Sequence, residues 1–468
     1  MFASPVNRKS VFVSRILFTV HKFFPSNKAG TEVLTLKIAQ ELKERGHEIL
    51  VVSADPPAVD ARHARGPEFE KYEYEGINVH AIGESLRLKN YTYEHEYYHP
   101  EIGEHFEKIL EEFRPDLMHI MHAQNLSSVV IEKARQKQIR VILSPTDFWF
   151  ICPIVQLKRT DGTICEGPGP GARYCMSCYT PELLPPKKEF ADALASRFPV
   201  VKEAGLQGLG NLLYPAYILM KKKKACDSTR KRPGVLRDLG NQVDAICVPT
   251  EIMKTLFVKN GFRESLIHKI PFGIDTSKLE SFQEKKTSST LRVAFIGTIY
   301  EHKGLDILIK AFQQLDPQLD IELKIYGSLE QFPEYGAEVK ELSERSPGHL
   351  EKIKFKGTFP NEKLGEVLTE VDVLVVPSRW YENTPLVIQS ALATKTPLVV
   401  TNLGGMSELV KDGINGLTFE LNNDKDLAEK LKVIVEKPEL LEEFRGNIGQ
   451  ERTIIDMVDD LEKLYFPN

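Results

Sequence analysis

Residues 371–401 read VDVLVVPSRWYENTPLVIQSALATKTPLVVT. The opening VDVLVVP (371–377) is β-branched and nearly uncharged, the pattern of a strand buried on both faces. Glu382 follows, then Asn383, Thr384 and Pro385, where Thr384 is expected to cap a helix and Pro385 to occupy its first position. PLVVT (397–401) reads as the next strand. This is a β-α-β unit whose acidic residue stands at the C-terminal end of a buried parallel strand, beside free helix-end amides. Open α/β sheets take their ligands at that place.

The same rhythm extends in both directions. LRVAFIG (291–297) leads into a helix carrying Leu305, Leu308, Phe312 and Leu315, and ELKIYG (322–327) and KIKFKG (352–357) supply further strands. Upstream, QEKKTSST (283–290) is polar and aperiodic and reads as a linker. The first half opens with RILFTV (15–20), a helix near 31–45 closed by Gly46, and EILVVSA (48–54). DLMHIM (116–121), a helix near 126–137 and RVILSP (140–145) continue it. The expectation is α/β: two tandem Rossmann-like, doubly wound domains. They span 1–280, with an insertion at about 150–235, and 291–450, followed by a helix at 451–468 that packs back on the first domain.

Composition narrows the function classes. A chain of 468 residues exceeds one ordinary core, and 42% apolar with 27% charged residues is that of a globular protein. The net charge of −5 offers no excess of cations to neutralise nucleic-acid phosphates. The first twenty residues hold no apolar run long enough for a signal peptide, and six cysteines are too few for a disulfide scaffold, so a cytoplasmic location is expected.

Three strands of the second half end in glycine, at Gly297, Gly327 and Gly357, where backbone amides can approach a phosphate closely. After Gly297 comes TIYEHKG, which puts Lys303 and Gly304 at the entry to a helix. An ammonium and helix amides could share a diphosphate there; the plain alternative is a surface lysine beside a turn glycine.

FIGTIYEHKG, KFKGTFP, VLVVPSRWYENTPLVIQSALA and NLGGMSELVKDGINGL, with AGTE (29–32), RGHEILVVS (45–53), HIMH (119–122) and PFGID (271–275), resemble the retaining nucleotide-sugar glycosyltransferases of family 4. The resemblance covers most of the chain outside 150–235 and implies the GT-B architecture, two Rossmann-like domains facing an interdomain cleft. It implies transfer of a hexose from a nucleoside diphosphate sugar to a glycan or lipid-linked acceptor, with retention of configuration, no metal in catalysis, and a place in cell-envelope polysaccharide synthesis. On this reading Lys303 holds the leaving diphosphate, helped by amides of Asn383, Thr384, Pro385 and Leu386, and Glu382 approaches the transferred sugar. Gly30 presents its amide to the donor phosphates, and His122 lines the sugar site. Gly297, Thr298, Gly327, Gly357 and Ser390 complete the expected donor-binding set.

Two positions depart from the family. Ser390 stands where a second glutamate, seven residues beyond the first, holds the ribose, and Thr298 stands where many members carry arginine. Losing a charge-assisted hydrogen bond costs roughly 1.5–3 kcal/mol. Arg379 is a candidate to replace the missing cation. These losses sustain a rival reading, a catalytically silent protein that binds a nucleotide sugar or a partner on the same fold.

Other features admit plainer readings. HKFFPSNKAG after the first strand is not a GxGxxG turn, which argues against a nicotinamide enzyme. Cys152, Cys165, Cys175 and Cys178 end in one Cys-x-x-Cys pair and are a candidate structural zinc site, with free thiols in a loop-rich insert as the alternative. Cys226 and Cys247 read as small apolar fillers. GLGNLLYPAYILMKKKK (208–224), with the basic residues up to Arg232, suggests peripheral contact with the inner face of a membrane over 208–232, against an internal helix with a solvated basic end. YTYEHEYYHPE (91–101) suggests an acceptor loop; His95 and His99 lie four apart, but Pro100 argues against a helical metal pair.

Overall fold

Strands with an apolar residue at every position must be covered on both faces, and the alternation of such strands with amphipathic helices produces two sheets. The computed structural model describes residues 13–54, 68–179, 206–285 and 288–467, without the side chains of 206–218, 220 and 278. The chain divides into one unit of Met1–Val248, Lys254–His268 and Leu464–Asn468, and a second of Pro249–Met253 and Lys269–Lys463. Residues 269–280, expected with the first domain, go with the second.

The first unit holds β1 (Arg15–Val20), β2 (Glu48–Ala54), β3 (Phe69–Tyr74), β4 (Ile77–Ile82), β5 (Leu117–Ile120), β6 (Arg140–Leu143), β7 (Ala245–Val248) and β8 (Ile267–Lys269). Their order is β3-β4-β2-β1-β5-β6-β7-β8, parallel from β4 to β7. Ile16, Leu17 and Phe18 of β1 are fully buried, so this strand is the centre of the sheet. Chain order runs outward from it through β2 on one side and β5 on the other. The border of β1 and β5 is therefore the switch point, where the loops part and leave a crevice. The β3–β4 hairpin, absent from the sequence expectation, is antiparallel and turns on Glu75 and Gly76, both at positive φ.

The second unit holds β9 (Leu291–Ile296), β10 (Ile321–Tyr326), β11 (Ile353–Gly357), β12 (Val373–Val376), β13 (Leu398–Thr401) and β14 (Gly416–Phe419), in the order β11-β10-β9-β12-β13-β14. Neighbouring strands of this sheet pair in parallel. Period-two alternation feeds two cores. Val293, Phe295, Val373 and Val375 pack with Leu305, Leu308 and Phe312 on one face, while Ala294, Leu374 and Val376 pack with Ile388, Leu392 and Val400 on the other. Each fully buried side chain of this size contributes about 1.5–3 kcal/mol. This is the doubly wound arrangement, with its switch point between β9 and β12.

One expectation needs correction. The helix after Glu382 spans Leu386–Ala393 with Pro385 as its N-cap and no side-chain cap bond, so Thr384 does not cap it and Pro385 is not its first residue. Pro385 has the φ a helix needs, −61°, but its ψ of 121° is extended, and the helix starts one residue later. The basic segment forms a single helix over Leu206–Gly240, with Pro215 and Pro233 inside it. Within the insertion, residues 180–205 lie outside the described residues, as do 1–12, which the localisation expectation involves.

The final helix, Ile454–Tyr465, ends in the first unit. There the Arg140 guanidinium donates to the Leu464 carbonyl at 2.8 and 3.1 Å, and the Tyr465 hydroxyl meets His119 Nδ1 at 2.5 Å. His119 is fully buried on β5 and its Nε2 lies 2.6 Å from Ser144 Oγ, so both ring nitrogens are satisfied. Tyr465→Phe leaves Nδ1 unpaired in the core, at a cost of about 1–3 kcal/mol. The thermal midpoint of the first unit should drop by a few degrees, read by circular dichroism. Burial also pushes His119 down to about 3. An unfolded histidine titrates near 6.5, so the stability from the neutral buried ring is complete above about pH 6.5 and is lost as pH falls toward 3. Urea midpoints should therefore decline between about pH 7 and pH 5, and less steeply in His119→Gln than in the wild type.

Candidate active site

Lys303 and Glu382 belong to the loops that follow β9 and β12, the two strands of the second switch point. The Lys303 ammonium lies 2.5 Å from Glu382 Oε1. The same oxygen accepts from Trp380 Nε1 at 2.7 Å and from Ser378 Oγ at 2.9 Å. Glu382 is 12% and Lys303 26% exposed. Burial pushes the Glu382 carboxyl upward, but the Lys303 charge and the three hydrogen bonds outweigh it and hold the group below the ordinary carboxylate range. The result is an ionised carboxylate beside an ammonium whose nitrogen also lies 5.4 Å from the centre of the Trp380 ring.

Backbone geometry brings these loops together. Gly304 has φ +70°, and a Cβ there would lie 2.0 Å from the Pro377 carbonyl oxygen, so only glycine lets the loop after β9 press on the end of β12. The Arg379 amide donates to the His302 carbonyl at 2.8 Å. The strand-end glycines form a bonded row: the Gly297 amide donates to Tyr326 and the Gly327 amide to Gly357, both at 3.0 Å. Thr298 follows Gly297 and is half-buried. Asn383 is buried, and Thr384, Pro385 and Leu386 are half-buried between Glu382 and the helix. The Glu382 carbonyl accepts from the Gly405 amide at 3.0 Å, which brings NLGGMSEL against this segment.

Two residues are engaged within the protein. The Arg379 guanidinium donates to Asp306 Oδ2 at 2.7 Å, Asn422 Oδ1 at 3.0 Å and the Glu301 carbonyl at 3.1 Å. Ser390 is 5% exposed, and its hydroxyl donates to the Leu386 carbonyl at 2.9 Å within its own helix. Next to Arg379, a cavity of about 710 Å³ is lined by Tyr300, Glu301, Asp306, Phe332, Tyr335 and Arg379.

The first unit carries a second polar cluster at its own switch point. His122 follows β5 and His21 follows β1, with ring centres 4.3 Å apart. His122 Nδ1 accepts from the Gln124 amide at 3.0 Å, which leaves Nε2 to donate to Asp147 Oδ2 at 2.8 Å. The other Asp147 oxygen accepts from the Trp149 amide at 2.8 Å. Burial raises Asp147, but its interaction with His122 prevails and its carboxyl is held below its ordinary value. Burial, reinforced by His122, pushes His21 down to about 3. Gly30 is exposed as the first residue of the helix Gly30–Glu44, so its amide is one of the free donors of that end. His21, Asp147, Trp380 and Ser378 were missed in the sequence. Only His21 had a readable signal, its place directly after the first strand.

The four cysteines are neighbours, since Cys152, Cys165 and Cys178 each act electrostatically on Cys175. All are buried and unpaired by disulfides. The Cys165 thiol donates to the Gly167 carbonyl at 3.1 Å, and burial pushes Cys152 up to about 11 and Cys175 up to about 12. Among the described residues, the group of three ligand atoms within 4.8 Å of one another is His95, His99 and Glu101, not the thiols. In the basic helix, the side chains of 208–218 and 220 lie outside the described residues. Lys222, Lys223 and Lys224 are exposed, Lys231 pairs with Glu94 at 2.7 Å, and Arg232 is buried against Glu96 at 2.7 Å. No helix among the described residues is long and apolar enough to cross a membrane.

Comparison with known proteins matches both units. Residues 29–160 fit the family Glycosyltransferase Family 4, and residues 277–451 fit Glycosyl transferases group 1. An uncharacterized glycosyltransferase of Methanocaldococcus jannaschii, MJ1178, is 32% identical over 158 residues, 33% of this chain and 40% of that protein. Alpha-maltose-1-phosphate synthase of Mycolicibacterium smegmatis is 28% identical over 205 residues, 40% of this chain and 52% of that enzyme. The chain thus spans about half or less of the length of these relatives. Among solved structures, Anabaena Alr3699/HepE in complex with UDP has a TM-score of 0.62 at 16% identity, covering 96% of this chain and 98% of that one. Sucrose-phosphate synthase from Thermosynechococcus elongatus has a TM-score of 0.62 at 15% identity, covering 97% and 98%. With a glycosyltransferase family matched in each unit and GT-B glycosyltransferases as structural neighbours, the chain belongs to the glycosyltransferases of the GT-B, family 4 type.

Proposed function

We propose that the protein transfers a hexose from a nucleoside diphosphate sugar to a glycan or lipid-linked acceptor, with retention of anomeric configuration. The observation that carries this reading is the Lys303–Glu382 pair at the switch point of the second sheet. As the bond from the sugar C1 to the diphosphate oxygen breaks, negative charge gathers on the diphosphate and positive charge on the sugar. Lys303 meets the first and Glu382 the second. The acceptor hydroxyl forms its bond to C1 on the face the diphosphate leaves, and its proton passes to the departing phosphate oxygen. The step needs no metal on this account, since an ammonium and backbone amides oppose the phosphate charge. UDP and UDP-glucose are bound in the Anabaena HepE structures, which makes a uridine nucleotide the first donor to try.

A role in cell-envelope polysaccharide synthesis at the cytoplasmic face of a membrane fits the exposed Lys222–Lys224 of the long helix. The second reading, a silent nucleotide-sugar binder, draws on Ser390, whose hydroxyl is engaged inside its own helix.

Two experiments separate these readings. Hydrolysis of UDP-, GDP- and ADP-sugars by the purified chain should reveal one working donor. With that donor, Glu382→Gln should lower turnover by about 10²–10³ while nucleoside diphosphate affinity changes little. Measurable nucleotide binding without turnover of any donor favours the silent protein; no binding at all removes both readings. Ser390→Ala should leave donor affinity within about twofold, because a bond made to Leu386 is not made to the ribose. A tenfold loss, measured by calorimetry, would place the Ser390 hydroxyl on the donor after all.

A further inference from the structure

The segment YTYEHEYYHPE does not form the helical histidine pair that Pro100 argues against, yet it brings the two imidazoles together by another route. His95 lies in a 3-10 turn over Tyr93–Glu96, and His99 is the N-cap of the helix Pro100–Phe113. Turn and cap set the rings at 4.1 Å between centres, and Glu101 in the first turn of the helix joins them. Nδ1 of His95, Nδ1 of His99 and a carboxylate oxygen of Glu101 are buried without a hydrogen-bond partner. One ligand atom from each residue lies within 4.8 Å of the other two.

The surroundings of the three groups fix which atoms face inward. His99 is 1% exposed, and its Nε2 donates to the Arg87 carbonyl at 2.8 Å, so in the neutral ring Nδ1 carries a lone pair. That lone pair stands 3.2 Å from Glu101 Oε2. Glu101 Oε1 is held from the other side by Asn90 Nδ2 at 3.2 Å. The His99 amide is fixed in turn by Ser127 Oγ at 2.8 Å. Three such atoms facing one another call for a positive charge among them, a proton on His99 or a metal cation. Outer hydrogen bonds that fix the tautomer of a histidine and the orientation of a carboxylate are what a metal ligand set requires.

We propose that His95, His99 and Glu101 bind a first-row divalent cation such as zinc, through two imidazole nitrogens and one carboxylate, with water as a fourth ligand. The sequence form is His-x₃-His-x-Glu. The role follows from the neighbours of His95. Glu94 pairs with Lys231, and Glu96 binds both Arg232 and the Trp149 indole, at 2.7 and 2.8 Å. Trp149 in turn donates its amide to Asp147, the partner of His122. The cation pins the turn that holds the basic helix and the Trp149 segment, and takes no part in bond making.

The test uses the full chain, stripped with a chelator and titrated with zinc chloride alone. About one zinc per chain should bind and raise the thermal midpoint by a few degrees. His95→Gln and Glu101→Gln should each weaken zinc by about ten- to a hundredfold. Neither should lower the metal-free midpoint appreciably, because His95 and Glu101 are only partly buried. A Cys152→Ser/Cys175→Ser variant should bind zinc as the wild type does. Absence of zinc binding, or binding undiminished in the His95→Gln/Glu101→Gln double variant, overturns the proposal. Loss confined to the cysteine variant does so as well and assigns the metal to the thiols. The readout is metal binding, so it stands or falls independently of the transfer activity.

Discussion

The ion pair of Lys303 and Glu382 is the constraint on which the second unit's chemistry depends. A carboxylate that is 12% exposed stays ionised only if cations and donors repay its lost hydration, and here one ammonium, one indole and one hydroxyl converge on a single oxygen. Those donors can meet only because β9 and β12 are neighbours while their chains continue to opposite sides of the sheet. The loops part there, and the backbone contact of Gly304 with Pro377 sets how closely they approach. In the proposed reaction, a diphosphate competes for the ammonium. As Lys303 turns toward phosphate, Glu382 is released to accept hydrogen bonds from sugar hydroxyls, so the pair stores the two groups in a mutually neutral form until the donor arrives.

The first unit repeats the logic with histidines. His21 and His122 sit at its switch point, burial opposes charge on His21, and two carboxylates serve the pair, Asp147 on His122 at 2.8 Å and the buried Glu32 on His21 at 3.4 Å. On the same sheet, His119 is spent on structure. Its two hydrogen bonds to Ser144 and Tyr465 lock β5 to the chain terminus. Histidines three residues apart in HIMH thus serve different ends because β5 stops at Ile120: His119 is still in the sheet, and His122 is in the loop beyond it.

Much of this was legible in local pattern. Buried parallel strands are apolar at every position, so the centres of both sheets could be read from RILFTV, LRVAFIG and VDVLVVP, and the ends of such strands located Glu382 and Lys303. The β3–β4 hairpin escaped because FEKYEY is an edge strand with no buried face, although the Glu75-Gly76 turn was a usable signal. The helix start was misplaced because proline constrains φ but leaves ψ open. Side chains from distant segments left no local trace. Arg379 is drawn to Asp306 across 73 residues, and Asp147 reaches His122 across 25. The proximity of His95 and His99 leaves no helical signal in the sequence, because a turn followed by a cap joins them.

The most direct test of the central claim is calorimetric titration of UDP, GDP and ADP into the wild type and Lys303→Met. The account predicts that one nucleotide binds, and that the variant binds it about ten- to a hundredfold more weakly, the worth of a charge-assisted bond of roughly 1.5–3 kcal/mol. Equal affinity in the two proteins would contradict it, for then the ammonium beside Glu382 serves only the fold and not a diphosphate.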